Sequence, residues 1–161
     1  MVFALLALGT VLLASCQETI PPPQPPLNPD PEQCQQWPEH YYCLVETGVS
    51  ARVLGIRSPG ESFAEARSKV GQLLGTVEEQ WDTIAPLQTA EALLTYFRAH
   101  NLSPLAEAIE TTLAHTQEPT GGSDRAASIH PGRTRHSQLQ AMAIKAGLIY
   151  AYRQVKGAWP R

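Results

Sequence analysis

Three cysteines are the most reactive side chains in this 161-residue chain, and their spacing divides them into two roles. Cys16 stands alone at the end of an apolar run, while Cys34 and Cys43 lie nine positions apart. A thiol can act as a nucleophile, a metal ligand or half of a disulfide, depending on what surrounds it. The Cys34/Cys43 spacing is not Cys-x-x-Cys, so redox catalysis is not indicated, and a structural disulfide is the expectation for an exported chain. Nine residues of helix rise would separate the alpha carbons by about 13 Å, whereas a bridge needs less than about 7 Å. The bridge therefore predicts a break in any helix here, and Pro38 supplies one.

The five histidines offer less. His130 and His136 flank Pro-Gly-Arg-Thr-Arg, while His40, His100 and His115 are isolated from carboxylates that could orient them. A metal held by His130 and His136 would need two further ligands in a stretch poor in acids, against the repulsion of neighbouring arginines. No metal and no cofactor is therefore expected. The chain also lacks His-Glu-x-x-His, a glycine-rich phosphate loop and a Gly-x-Ser-x-Gly elbow, so no catalytic residue is assigned and a non-enzymatic role is expected. The stronger constellation is basic: Arg125, Arg133 and Arg135, followed by Lys145, Arg153, Lys156 and Arg161. From Gln17 to Thr120 there are 14 acidic and 5 basic residues, and from Gly121 to Arg161 there are 1 and 7. Arginine's planar fork suits carboxylate and phosphate, so Arg125, Arg133, Arg135, Lys145, Arg153 and Lys156 are candidates for an anionic partner. The alternative is a solvated face that balances the acidic helices.

Residues Val2 to Ala14 carry no charge, too few to cross a hydrocarbon core that needs about 20 apolar residues. The run closes on Leu13-Ala14-Ser15-Cys16, which resembles the lipobox of bacterial lipoproteins, although no Lys or Arg precedes the run. The resemblance implies that the Cys16 thiol takes a diacylglyceryl group, that cleavage follows Ser15, and that the new amine is acylated, palmitate being typical. Several acyl chains anchor firmly, at about 0.8 kcal/mol for each buried methylene. Gln17 in place of Asp after the cysteine resembles the pattern of an outer-membrane destination facing the periplasm. An address outside the cytoplasm removes nucleic acid from the expected partners.

Residues 1–15 thus read as signal peptide and 16–32 as lipidated N-terminus and linker, with 33–161 as the folding domain. From Ile20 to Pro31 proline is too frequent for helix or sheet, and a polyproline II spacer of roughly 35 Å is expected.

The domain reads as all-α, a small bundle of four or five helices. Tyr42, Val45 and Val49 suit a first helix over the otherwise ambiguous 41–56. Ser58-Pro59-Gly60-Glu61 has the form of a capping box opening a second. Its apolar face runs through Phe63, Ala66, Val70, Leu73, Leu74, Val77, Trp81 and Ile84 over about six turns. Gly71 and Gly75 on an adjoining face would let a neighbour approach. A third helix after Pro86 points Leu87, Ala90, Leu93, Leu94 and Phe97 inward and ends at His100-Asn101. Ser103-Pro104 starts a fourth, carrying Leu105, Ala108, Ile109 and Leu113. A long loop is expected from Thr116 to His136. The last helix is expected from Ser137, capped with Gln140, burying Leu139, Met142, Ala143, Ala146, Ile149 and Tyr150 and stopping at Gly157.

The parts together resemble secretin pilotins, which are small helical lipoproteins often stapled by a disulfide; conjugation and phage lipoproteins share such a leader. The expected function is a membrane-anchored, non-catalytic adaptor for another envelope protein, with Trp81, Tyr96, Phe97 or Trp159 lining a groove for a partner helix. The alternative is a cell-wall-binding module or envelope hydrolase that uses the His/Arg loop on peptidoglycan or anionic lipid.

Overall fold

The computed structural model describes Cys34, residues 40–116 and residues 131–161, with side chains in the last stretch from His136 onward. Among these residues all regular structure is helical: α1 (Tyr41–Leu54), α2 (Phe63–Glu79), α3 (Trp81–Ile84), α4 (Ala90–Ala99), α5 (Ser103–His115) and α6 (Pro131–Lys156). The signal peptide, Cys16, the proline-rich linker, Arg125 and His130 lie outside the described residues, as do the side chains of Arg133 and Arg135.

The helix α1 sits at the centre, packed chiefly against α6 and α5. It buries Tyr41, Tyr42, Cys43, Val45, Glu46, Val49, Ser50 and Val53, one broad face at spacings of three and four. The apolar pattern is nevertheless weak in the sequence, because polar Glu46 and Ser50 lie on that buried face while Leu44 and Leu54 lie on the exposed one. Its neighbours come close through glycine. A Cβ on Gly48 would sit 2.7 Å from Thr112 Cγ2 of α5, and one on Gly147 of α6 would sit 2.8 Å from the Glu46 carbonyl oxygen. At its N-terminus, His40 Nδ1 accepts the Tyr42 N–H at 3.2 Å. Cys34 and Cys43 are bridged, with alpha carbons 5.4 Å apart.

The start of α2 differs from expectation. The chain contains two consecutive Ser-x-x-Glu sequences, and the second one opens the helix: Ser62 Oγ accepts the Glu65 N–H, and Glu65 Oε2 accepts the Ser62 N–H. The first forms a tight turn. Glu61 N–H donates to Ser58 O at 3.1 Å, and Ser58 N–H to Glu61 Oε2 at 2.8 Å. Gly60 has φ of +80°, a conformation no continuing right-handed helix contains, so the helix cannot begin at Pro59. Phe63, expected inward, is then the first helical residue and is 72% exposed. The six-turn helix is also interrupted. Gln80 (φ −97°, ψ 12°) separates α2 from the single turn of α3, and its side chain accepts the Tyr96 hydroxyl at 2.6 Å.

The helix α4 begins at Ala90 rather than just after Pro86, with Thr89 Oγ1 accepting the Ala92 N–H. It ends as expected. Asn101 is left-handed (φ 59°), and Leu102 N–H returns to Phe97 O at 2.8 Å. Pro104 lies in the first turn of α5.

The largest correction concerns α6. It begins at Pro131, inside the expected loop, so His136 and the backbone of Arg133 and Arg135 are helical. Ser137 is no N-cap but a buried residue within the helix. The buried face is Ala141, Ala143, Ile144, Leu148 and Ala151, whereas Leu139, Met142 and Ala146, expected inward, are only partly buried. The reason is the close approach: α6 packs against α1, α2 and α4 and turns its small residues toward them. Gly157, at φ +96°, ends it as the sequence predicts.

The core these helices share includes Leu74, Ile84, Leu93, Phe97, Leu105 and Ile109, all fully buried. Each contributes roughly 1.5–3 kcal/mol relative to exposure. The tail after α6 is docked too: Trp159 packs edge-on to Trp81 and Tyr152, with centroids 4.9 Å apart in both pairs.

Candidate docking groove

Where α1 ends, the chain must turn back to enter α2, and the two helices leave a groove closed on its far side by the last turns of α6. Gly55 N–H bonds Ala51 O at 3.0 Å and finishes α1. The connector then passes Ile56 and Arg57 before the Ser58–Glu61 turn. The resulting groove has a volume of about 440 Å³. Its floor is Ala66 and Val70, both buried, with Val155 of α6 beside them. Its walls are Leu54, which is 36% exposed, and Phe63, the most exposed large apolar side chain described.

Two arginines stand at this apolar trough, and no acidic residue among those described lines it. Each is oriented by a backbone carbonyl rather than a carboxylate. Arg57 Nε donates to Glu61 O at 2.7 Å, and Arg67 Nη2 donates to Gln154 O at 3.1 Å, near the end of α6 where helix carbonyls lack internal partners. The nearest acid is already satisfied. Glu61 accepts the Ser58 N–H and pairs with Lys69 Nζ at 3.1 Å, and these contacts, the backbone bond first, hold its carboxyl below the usual range. Neither Arg57 nor Arg67 is ion-paired with another described residue. A guanidinium carries five donors, so each retains N–H groups for an incoming acceptor. A second hollow of about 510 Å³ lies across the connector, more polar and containing Arg52, Glu107 and Thr111.

The basic residues singled out in the sequence are distributed differently. Lys145 Nζ donates to Ala85 O at 2.9 Å and to Leu87 O at 3.0 Å, closing the end of α3, and burial lowers its pKa. Arg161 pairs with Glu78 at 3.1 Å and Asp82 at 2.6 Å. Arg153 and Lys156 are exposed on the last turn of α6. Lys145 and Arg161 are thus engaged by the fold itself.

The aromatic residues expected at a partner groove are also elsewhere. Phe97 is fully buried, Tyr96 stacks on His100 at 3.9 Å, and Trp81 and Trp159 pack on one another. The groove is lined instead by Phe63. The signal that could have found it was the second Ser-x-x-Glu, which places Phe63 at the first helical position, ahead of the buried stripe.

Chemistry-bearing groups elsewhere have structural surroundings. His136 lies 4.9 Å from the Tyr41 ring and 3.1 Å from Gln140 Nε2. Glu46 is only 3% exposed, with Oε2 3.5 Å from Cys34 Sγ, a contact rather than a hydrogen bond because the bridged sulfur carries no proton. Tyr42 has its pKa raised by burial and then by the Glu46 charge. Among the described residues no group of three His, Cys, Asp or Glu could hold a metal ion, and no helix is long and apolar enough to cross a membrane. Comparison of the chain with protein-family models, with curated proteins and with solved structures finds no match.

Proposed function

We propose that this protein is a non-catalytic adaptor of the bacterial envelope, anchored through lipidated Cys16 at the outer membrane and presenting the α1/α2/α6 groove to an envelope protein. The lipobox-like leader supports the address, and the proline-rich linker supports a domain held away from the lipid surface. One observation carries the binding role: Phe63 stands 72% exposed over an apolar floor. Leaving such a ring in water forgoes roughly 1.5–3 kcal/mol that a partner covering it could recover.

The test is site-specific photocrosslinking from p-benzoylphenylalanine at position 63 in membranes, with mass spectrometry of the mature N-terminus. The expected result is a triacylated Cys16 and one dominant protein adduct, lost when the probe is moved to exposed Ala114. An unprocessed, lipid-free N-terminus would remove the address. Absence of any protein adduct at position 63 would remove the adaptor role.

A further inference from the structure

We propose that the occupant of the groove is an acidic amphipathic helix of the partner, its apolar stripe seated between Leu54 and Phe63 and its carboxylates on Arg57 and Arg67. The inference rests on the docking reading of this groove and adds the chemistry of what docks. Three features select that occupant. The site is a trough between helix ends rather than a convex knob, and its apolar floor suits side chains at i, i+3 and i+4 of an inserted helix. Among the described residues the only charges lining it are two arginines, and the adjacent Glu61 is paired with Lys69 while also feeling the Arg57 charge. Both guanidiniums are also held in place by backbone carbonyls, so less side-chain freedom is lost when a carboxylate arrives.

The selection is one of sign as well as shape. A basic helix would bring like charges onto Arg57 and Arg67, a repulsive arrangement that excludes wrong partners as effectively as attraction recruits the right one.

The experiment measures fluorescence anisotropy of three labelled helical peptides of about 16 residues against the purified full chain. All three carry Leu at i, i+3, i+4 and i+7, and their flanking positions are Glu, Gln or Lys. The Glu peptide should bind roughly ten-fold or more tightly than the Gln peptide, with the preference shrinking as salt is raised. The Lys peptide should be the weakest. Arg57→Glu combined with Arg67→Glu should invert the order, and Phe63→Ala should weaken the Glu peptide while circular dichroism stays unchanged. Equal affinity for all three peptides would overturn the inference.

A lipid occupant is tested separately with Phe63→Trp in the lipidated protein. Strong quenching of the added tryptophan by brominated phosphatidylglycerol, with no peptide binding, would assign the trough to membrane and overturn the inference. The two proposals fail in different ways. If the photocrosslink at position 63 reaches a protein segment that is not acidic, the adaptor stands and this inference falls. If no protein is crosslinked at all, the adaptor itself falls.

Discussion

The hydroxyl of Ser137, inside α6, accepts the Ala90 N–H at the first residue of α4 at 3.1 Å and donates to the Glu91 carboxylate. A helix N-terminus leaves four N–H groups without internal partners. Here one is satisfied by local Thr89 and another by a residue 47 positions away, so the cap also sets how α6 lies against α4.

Ser137→Ala should therefore lower the unfolding free energy in urea by about 1–2 kcal/mol, the upper part of the range for an N-cap, because the orphaned N–H is buried. Thr89→Ala, a part-buried local cap, should cost about 1 kcal/mol or less. The two losses should add closely if the caps act on separate N–H groups. Strong coupling in a double-mutant cycle would show instead that Ser137 holds the whole first turn.

The glycines at the contacts of α6 with its neighbours are not equivalent. Gly147→Ala would drive a methyl to 2.8 Å from the Glu46 carbonyl and 3.1 Å from Val49. The expected loss is about 1–3 kcal/mol, since backbone must shift. Gly71→Ala meets only Val155 Cγ1 at 3.4 Å, an ordinary contact, and should gain about 0.5–1 kcal/mol of helix propensity. Thermal melts of both variants check the contrast, and equal effects would contradict the close approach of α1 and α6.

The capping box should titrate. Glu65 has its carboxyl held below its usual value of 4.5, first by the Ser62 N–H and then by the Ser62 hydroxyl. A folded pKa lower than the unfolded one stabilises above the unfolded value, and that stability disappears as pH falls through the folded value. Glu65→Gln keeps an acceptor but removes the titration. Its melting temperature should therefore drop less steeply than that of the wild type on acidification below the ordinary carboxylate value. Parallel profiles would mean that the box contributes nothing through its charge.

The Cys34–Cys43 bridge closes a short loop at the entrance to α1. Replacing both residues by serine should cost about 2–3 kcal/mol, from the greater freedom of the unfolded chain. A reductant should lower the melting temperature of the wild type and leave the double variant unchanged. Insensitivity of the wild type to a reductant under unfolding conditions would show the thiols to be free.

Local signals in this sequence were strong enough to specify helices, caps and stops. Proline at the start of α5, the left-handed Asn101 and the terminal Gly157 are decided by backbone sterics within a few residues, and all three are legible without a structure. The stripe through Ala66, Val70, Leu74 and Val77 is legible for the same reason, because one face of α2 meets the core. What tertiary structure decided was which competing local signal prevailed and which side of a helix faces inward. Two Ser-x-x-Glu boxes stand end to end, and the left-handed backbone that Gly60 adopts in the fold gives the helix to the second. The inward side of α6 follows from the closeness of α1, which admits glycine and alanine where larger residues look more hydrophobic on paper. The groove belongs to this second kind of fact. Leu54, Phe63, Arg67 and Val155 come from three helices, and only the packing of helix ends brings them to one trough.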